Sequence, residues 1–158
     1  MAGQADVSRG AAVAGDFLMV CGGIGIVTGL IPFAVSTLRL AGFDLGLGPH
    51  DWAAHGAQAM GLSVEWAALS SASGTFLGGL LVAAGIGWRR GKPWAPLVTL
   101  IYALDGMVVT GVDLTIFALA AMPGRMRASL LFLDGVAFAL AFACLAALIL
   151  RRRRAETE

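Results

Sequence analysis

Four apolar runs of about twenty residues, set apart by one long and two short connections, restrict this chain more than any other feature of its sequence. They cover residues 17–38, 67–88, 96–119 and 128–150. Each meets the ~20-residue length that a helix needs to cross the hydrocarbon of a bilayer. Backbone groups in hydrocarbon must be satisfied within their own segment, so each run is predicted to be a helix rather than a strand. The expected fold is an all-α integral membrane protein, a single domain over 1–158, built as a four-transmembrane-helix bundle with a basic tail over 151–158.

Composition agrees with that reading. Only 13% of the 158 residues are charged, while 58% are hydrophobic. Soluble domains carry about 25% charged residues. The near-neutral net charge of +1 hides a block of four arginines, Arg151 to Arg154. Placed directly after an apolar run, such a block acts as a cytoplasmic topology anchor, and no nucleic-acid partner is expected. The first run follows no clean basic leader and no small-residue cleavage site, so it is expected to be retained as a helix.

Orientation follows from the placement of Lys and Arg. Arg9, Arg89, Arg90, Lys92 and the four tail arginines fall on one side. Arg39, Arg125 and Arg127 fall on the other. The positive-inside rule then puts both termini and the Trp88–Trp94 connection in the cytoplasm. Trp66, Trp88 and Trp94 stand where aromatic belts mark the membrane interfaces. The connections WRRGKPWA and MPGRMR are tight turns that make the second run a neighbour of the third, and the third a neighbour of the fourth. The connection Arg39–Trp66 is long and lies outside, with Pro49 opening a short helix to about Met60. Richness in Ala, Gly and Arg suggests a bacterial inner membrane.

Each run carries one stripe of small or polar residues at steps of three and four. The stripes are Cys21, Gly25, Thr28, Pro32, Ser36; Ser70, Gly74, Gly78, Leu81, Gly85; Thr99, Tyr102, Gly106, Thr110, Asp113; and Asp134, Ala137, Ala141, Cys144, Leu148. Such steps share one helix face, and small faces are what membrane helices turn toward each other. Cys21 and Cys144 fall at similar depth in the inner leaflet, on helices that a closed bundle could make neighbours, and the plainer reading takes both as apolar fillers. Their spacing suits neither a metal nor a redox motif.

The chemistry rests on acids inside the runs. At 1.5 Å per residue, Asp105 lies roughly 3 Å inside the midplane, and Asp113 and Asp134 each lie roughly 9 Å outside it. Asp113 and Asp134 therefore share a depth on neighbouring helices, and both lie on stripes. No Lys or Arg lies within a run to neutralise them. A lone carboxylate in hydrocarbon costs several kcal/mol, and the cheaper state keeps the proton. The pair is expected to share a proton or to receive a cation from the outer side. The plainer alternative is that both acids are protonated and bonded to Thr110, Ser129 or backbone carbonyls, joining helices. Asp105 is about 80° off its stripe and within reach of Tyr102 one turn away. Asp16 is expected to precede the first helix and to support its N-terminal dipole.

Glu65, His50, Asp51 and His55 lie on the same outer side, where such groups ligate a divalent metal or relay protons. For the histidines, five apart, a solvated loop is the plainer reading, and for Glu65 an interfacial cap. No cofactor is expected, since the chain has no nucleophile elbow, phosphate loop, zinc-protease helix or dinucleotide fingerprint. Three function classes remain. The leading one is a small-molecule or cation binding or transport component, with Asp113, Asp134, Asp105, Tyr102 and Glu65 as ligand-binding or proton-carrying groups. The others are a structural or accessory membrane subunit, and a membrane enzyme acting on a lipid or isoprenoid, with the weight leaning away from an enzyme. The partners expected are the bilayer and a homodimer or larger membrane complex.

Overall fold

The structure is a computed structural model that describes residues 2–43, 63–119 and 124–157. These residues form four helices and, among themselves, no β-strand. In chain order they are α1 (Ala2–Leu40), α2 (Val64–Arg89), α3 (Ala95–Leu119) and α4 (Gly124–Thr157). All four are long and apolar enough to cross a membrane. The first and last run well past their apolar stretches, α1 through an Ala-rich N-terminal segment and α4 through the arginine block. The Pro49–Met60 segment, with His50, Asp51 and His55, lies outside the described residues.

The helix ends follow from local chemistry. Ser63 caps α2, its hydroxyl accepting from the Trp66 amide at 3.4 Å. This satisfies one of the first-turn N–H groups that a helix leaves unpaired. Both α1 and α2 stop on a glycine in the left-handed region, Gly42 at φ 86° and Gly91 at φ 61°. A side chain would be strained at either position. Beyond each glycine the chain folds back, with Phe43 N–H donating to Leu38 C=O at 3.0 Å and Lys92 N–H to Gly87 C=O at 2.8 Å.

Helices α1 and α2 form the most extensive contact, and its basis is a repeat of seven. Gly15, Gly22, Gly29 and Ser36 are all buried on one face of α1. A Cβ on Gly15 would stand 2.6 Å from the Gly85 carbonyl oxygen. One on Gly22 would stand 2.6 Å from the Gly78 carbonyl oxygen, and one on Gly29 2.7 Å from the Thr75 amide nitrogen. The reverse holds from α2, where a Cβ on Gly78 would meet the Ile26 amide nitrogen at 2.6 Å. The two backbones therefore touch directly. A strict seven-residue repeat keeps the touching face aligned along a left-handed crossing.

Helix α2 also packs on α3, and α3 on α4, whereas α1 and α4 share no packed interface among the described residues. One core still draws on all four helices: Leu18; Leu77, Leu81 and Ala84; Tyr102 and Ala103; Ala141 and Cys144. Cys21 and Cys144, expected on neighbouring helices, both reach this one core, Cys144 within it and Cys21 packed against it.

Around this core the molecule is apolar outward. Phe17, Val20 and Ile24 on α1, Phe76 on α2, Val108 on α3 and Phe132 on α4 are all exposed. In the most apolar window of each helix, only 11–33% of the residues are buried.

Candidate functional site

Helix α3 carries the site because its polar stripe turns inward. Thr99, Tyr102, Gly106, Thr110 and Asp113 are all buried. Thr99 and Thr110 donate to carbonyls of their own helix, Ala95 at 2.8 Å and Gly106 at 2.6 Å. They are thereby satisfied without leaving α3. Asp113 is 7% exposed, and its Oδ2 accepts a hydrogen bond from the Ser70 hydroxyl of α2 at 3.3 Å.

Asp134 on α4 is half-buried and lies within electrostatic range of Asp113. The two acids sit on packed helices, and the Ser70 hydroxyl of α2 holds Asp113. Like carboxyls within electrostatic reach of each other do not both ionise readily. Ser70, Asp113 and Asp134 mark a polar centre on α2, α3 and α4.

The partner of Asp113 differs from those anticipated. Thr110 is committed to Gly106, and Ser129 donates to Arg125 C=O at 3.1 Å. Ser70 was on the α2 stripe, six residues from the helix start as Asp113 is six from the end of α3. Antiparallel neighbours place such residues level, and that was the signal available for the pairing.

The other predicted residues stand apart from this centre. Asp105 is half-buried, and no hydrogen bond joins it to Tyr102 among the described residues. Tyr102 belongs to the central core instead. Glu65 is exposed in the first turn of α2, two residues after the Ser63 cap. Among the described residues, no group of three His, Cys, Asp or Glu side chains is placed to hold a metal ion. A shallow groove of about 410 Å³ is lined by Met19, Val20, Gly23, Ile24, Val27 and Thr28 of α1, and neither acid lines it.

Two contacts were not anticipated. Asp16 lies well inside α1, not before it, so it supports no helix N-terminus. Its carboxylate accepts from the Arg89 guanidinium at 3.0 Å, tying α1 to the end of α2. Trp88 Nε1 donates to Thr99 Oγ1 at 2.9 Å, while the Arg151 guanidinium stacks 4.6 Å from the Trp88 ring centre. One indole thus links α2, α3 and α4. Comparison with protein-family models, with curated proteins and with solved structures finds no match to this chain.

Proposed function

We propose that the chain is a four-span membrane protein whose Asp113–Asp134 pair binds a cation or carries a proton, as part of a small binding or transport component. Both termini and the α2–α3 turn face the cytoplasm in this reading, and the chain between α1 and α2 lies outside. Large side chains exposed along every helix support the membrane setting, since monomeric soluble proteins rarely expose apolar patches beyond a few hundred Å². The Lys and Arg distribution supports the orientation, and an Ala-, Gly- and Arg-rich composition supports a bacterial inner membrane. A chain this small is expected to work as a homodimer or within a larger complex.

The observation that carries the reading is the buried Asp113 side chain, held by Ser70, with a second acid in electrostatic range on the next helix. Intramembrane acids are costly and mark ion and proton pathways by default. The Ser70–Asp113 bond also favours a second reading, an accessory subunit whose acids only join helices. Thermal unfolding in detergent separates the two. Wild type and the Asp113→Asn/Asp134→Asn variant are scanned against pH and a panel of mono- and divalent cations. A cation or a proton that stabilises wild type but not the variant supports the site, because binding to the native state raises apparent stability. Identical responses of the two proteins leave only the helix-joining role.

A further inference from the structure

The two basic stretches of the sequence, Arg89–Lys92 and the arginines from Arg151, are far apart along the chain, and the fold gathers them at one end. The Arg151 guanidinium lies over the Trp88 ring at 4.6 Å, which sets the α4 tail against the α2–α3 turn. The ring itself is held by its bond to Thr99, which is 4% exposed. The turn is equally fixed, by Gly91 at φ 61° and by the Lys92 N–H bond to Gly87 C=O. Arg89 is engaged by Asp16. Arg90, Lys92 and Arg151 present exposed side chains around the turn.

We propose that this end of the molecule is a headgroup site for an anionic phospholipid, with Arg90, Lys92 and Arg151 taking the phosphodiester. The inference rests on the membrane reading above. Guanidinium groups bind phosphate oxygens in a planar, paired geometry, and a lysine adds a compact charge. Basic pockets between membrane helices on the cytoplasmic side take such headgroups. The turn backbone and the stacked Arg151 are fixed before the lipid arrives, which lowers the cost of binding.

The surroundings favour a lipid over a nucleic acid. Trp94 packs at the turn, where a Cβ on Gly87 would meet its ring at 2.6 Å. Leu97, Ile149 and Leu150, within five residues of the basic side chains along the chain, are exposed and apolar. A phosphate held at the turn would have acyl chains running down that apolar surface, whereas a duplex would meet it with charge.

The test uses the full chain in a neutral detergent. Retained lipid is counted by native mass spectrometry, and thermal unfolding is followed with added phosphatidylglycerol or phosphatidylcholine. Wild type should retain phosphatidylglycerol and unfold at higher temperature with it, and phosphatidylcholine should do neither. The Arg90→Gln/Lys92→Gln/Arg151→Gln variant should bind phosphatidylglycerol on the order of a hundredfold more weakly. Arg125→Gln, at the opposite end, should bind as wild type does, and so should Lys92→Arg. Equal binding by the triple variant overturns the proposal, as does no response of wild type to phosphatidylglycerol. An equal shift with inorganic phosphate or with a short DNA duplex overturns it in favour of those ligands. Alkaline carbonate extraction tests the membrane reading separately. Release of the chain sinks that reading, whereas retention without a phosphatidylglycerol response sinks the headgroup site alone.

Discussion

The α1–α2 seam and the seams that α3 makes with α2 and α4 join helices of similar hydropathy in different ways. Between α1 and α2 the contact is backbone on backbone, repeated every seven residues through Gly15, Gly22 and Gly29. Between α2 and α3 single polar contacts are added, Trp88 to Thr99 and Ser70 to Asp113, and Arg151 of α4 lies over Trp88 of α2. The first seam gains dispersion from close approach and leaves no room for a side chain. The second holds the buried acid Asp113, whereas the Asp16–Arg89 pair of the first is exposed. Apolar surface alone does not choose between helix faces in hydrocarbon, so both close packing and polar pairing are needed to specify an arrangement.

The sharpest way to break this contrast is to add one methyl group to each of two adjacent glycines. Gly78→Ala places a Cβ within 3.0 Å of three backbone atoms of α1, and backbone cannot rotate away. We expect a loss of about 2–3 kcal/mol in unfolding free energy, measured by denaturant titration in detergent. Gly79→Ala meets nothing within 4 Å and should change stability by less than ~1 kcal/mol, in the favourable direction. Similar behaviour of the two variants would show that α1 and α2 are not in backbone contact.

Next in size is Trp88→Phe, which keeps an aromatic surface under Arg151 but removes the donor to Thr99. A cost of about 1 kcal/mol is expected. Ser70→Ala probes the polar centre and should cost ~0.6 kcal/mol, the usual worth of a hydrogen bond between membrane helices. Combined with Asp113→Ala in a double-mutant cycle, it should show a coupling of that same size. A coupling of zero would separate Ser70 from the acid. The smallest effect is assigned to Asp16→Asn. Its pair with Arg89 is more than half exposed on both sides, so the loss should stay under ~1 kcal/mol and shrink further in high salt.

Much of the α3 side was legible in the sequence. Its stripe from Thr99 to Asp113 is buried along its whole length, because polar residues are few there and only one face collects them. The stripe on α4 is likewise right at Ala141 and Cys144. On α1 the expectation was rotated. Gly25 and Ser36 do turn inward, but Thr28 is exposed and bonds to its own helix at Ile24 C=O. Small residues are so frequent in that run that steps of three and four fit several faces. The spacing of seven from Gly15 to Ser36 was the discriminating signal, and it begins before the apolar run does. That same early start explains Asp16: the Ala-rich segment before it continues the helix, so the acid sits mid-helix and pairs sideways.

What the sequence determined by itself is the set of helices, where basic residues flank them, and which of them contain acids. These depend on consecutive residues, through backbone hydrogen bonding within a segment and the apolar length of each run. Packing between helices fixes which faces meet, that Ser70 holds Asp113, and that Arg151 comes to rest on Trp88. Rotation of one helix against another is set by atoms in contact across segments distant in sequence. In chains this rich in small residues, several rotations look alike until the backbones are brought together.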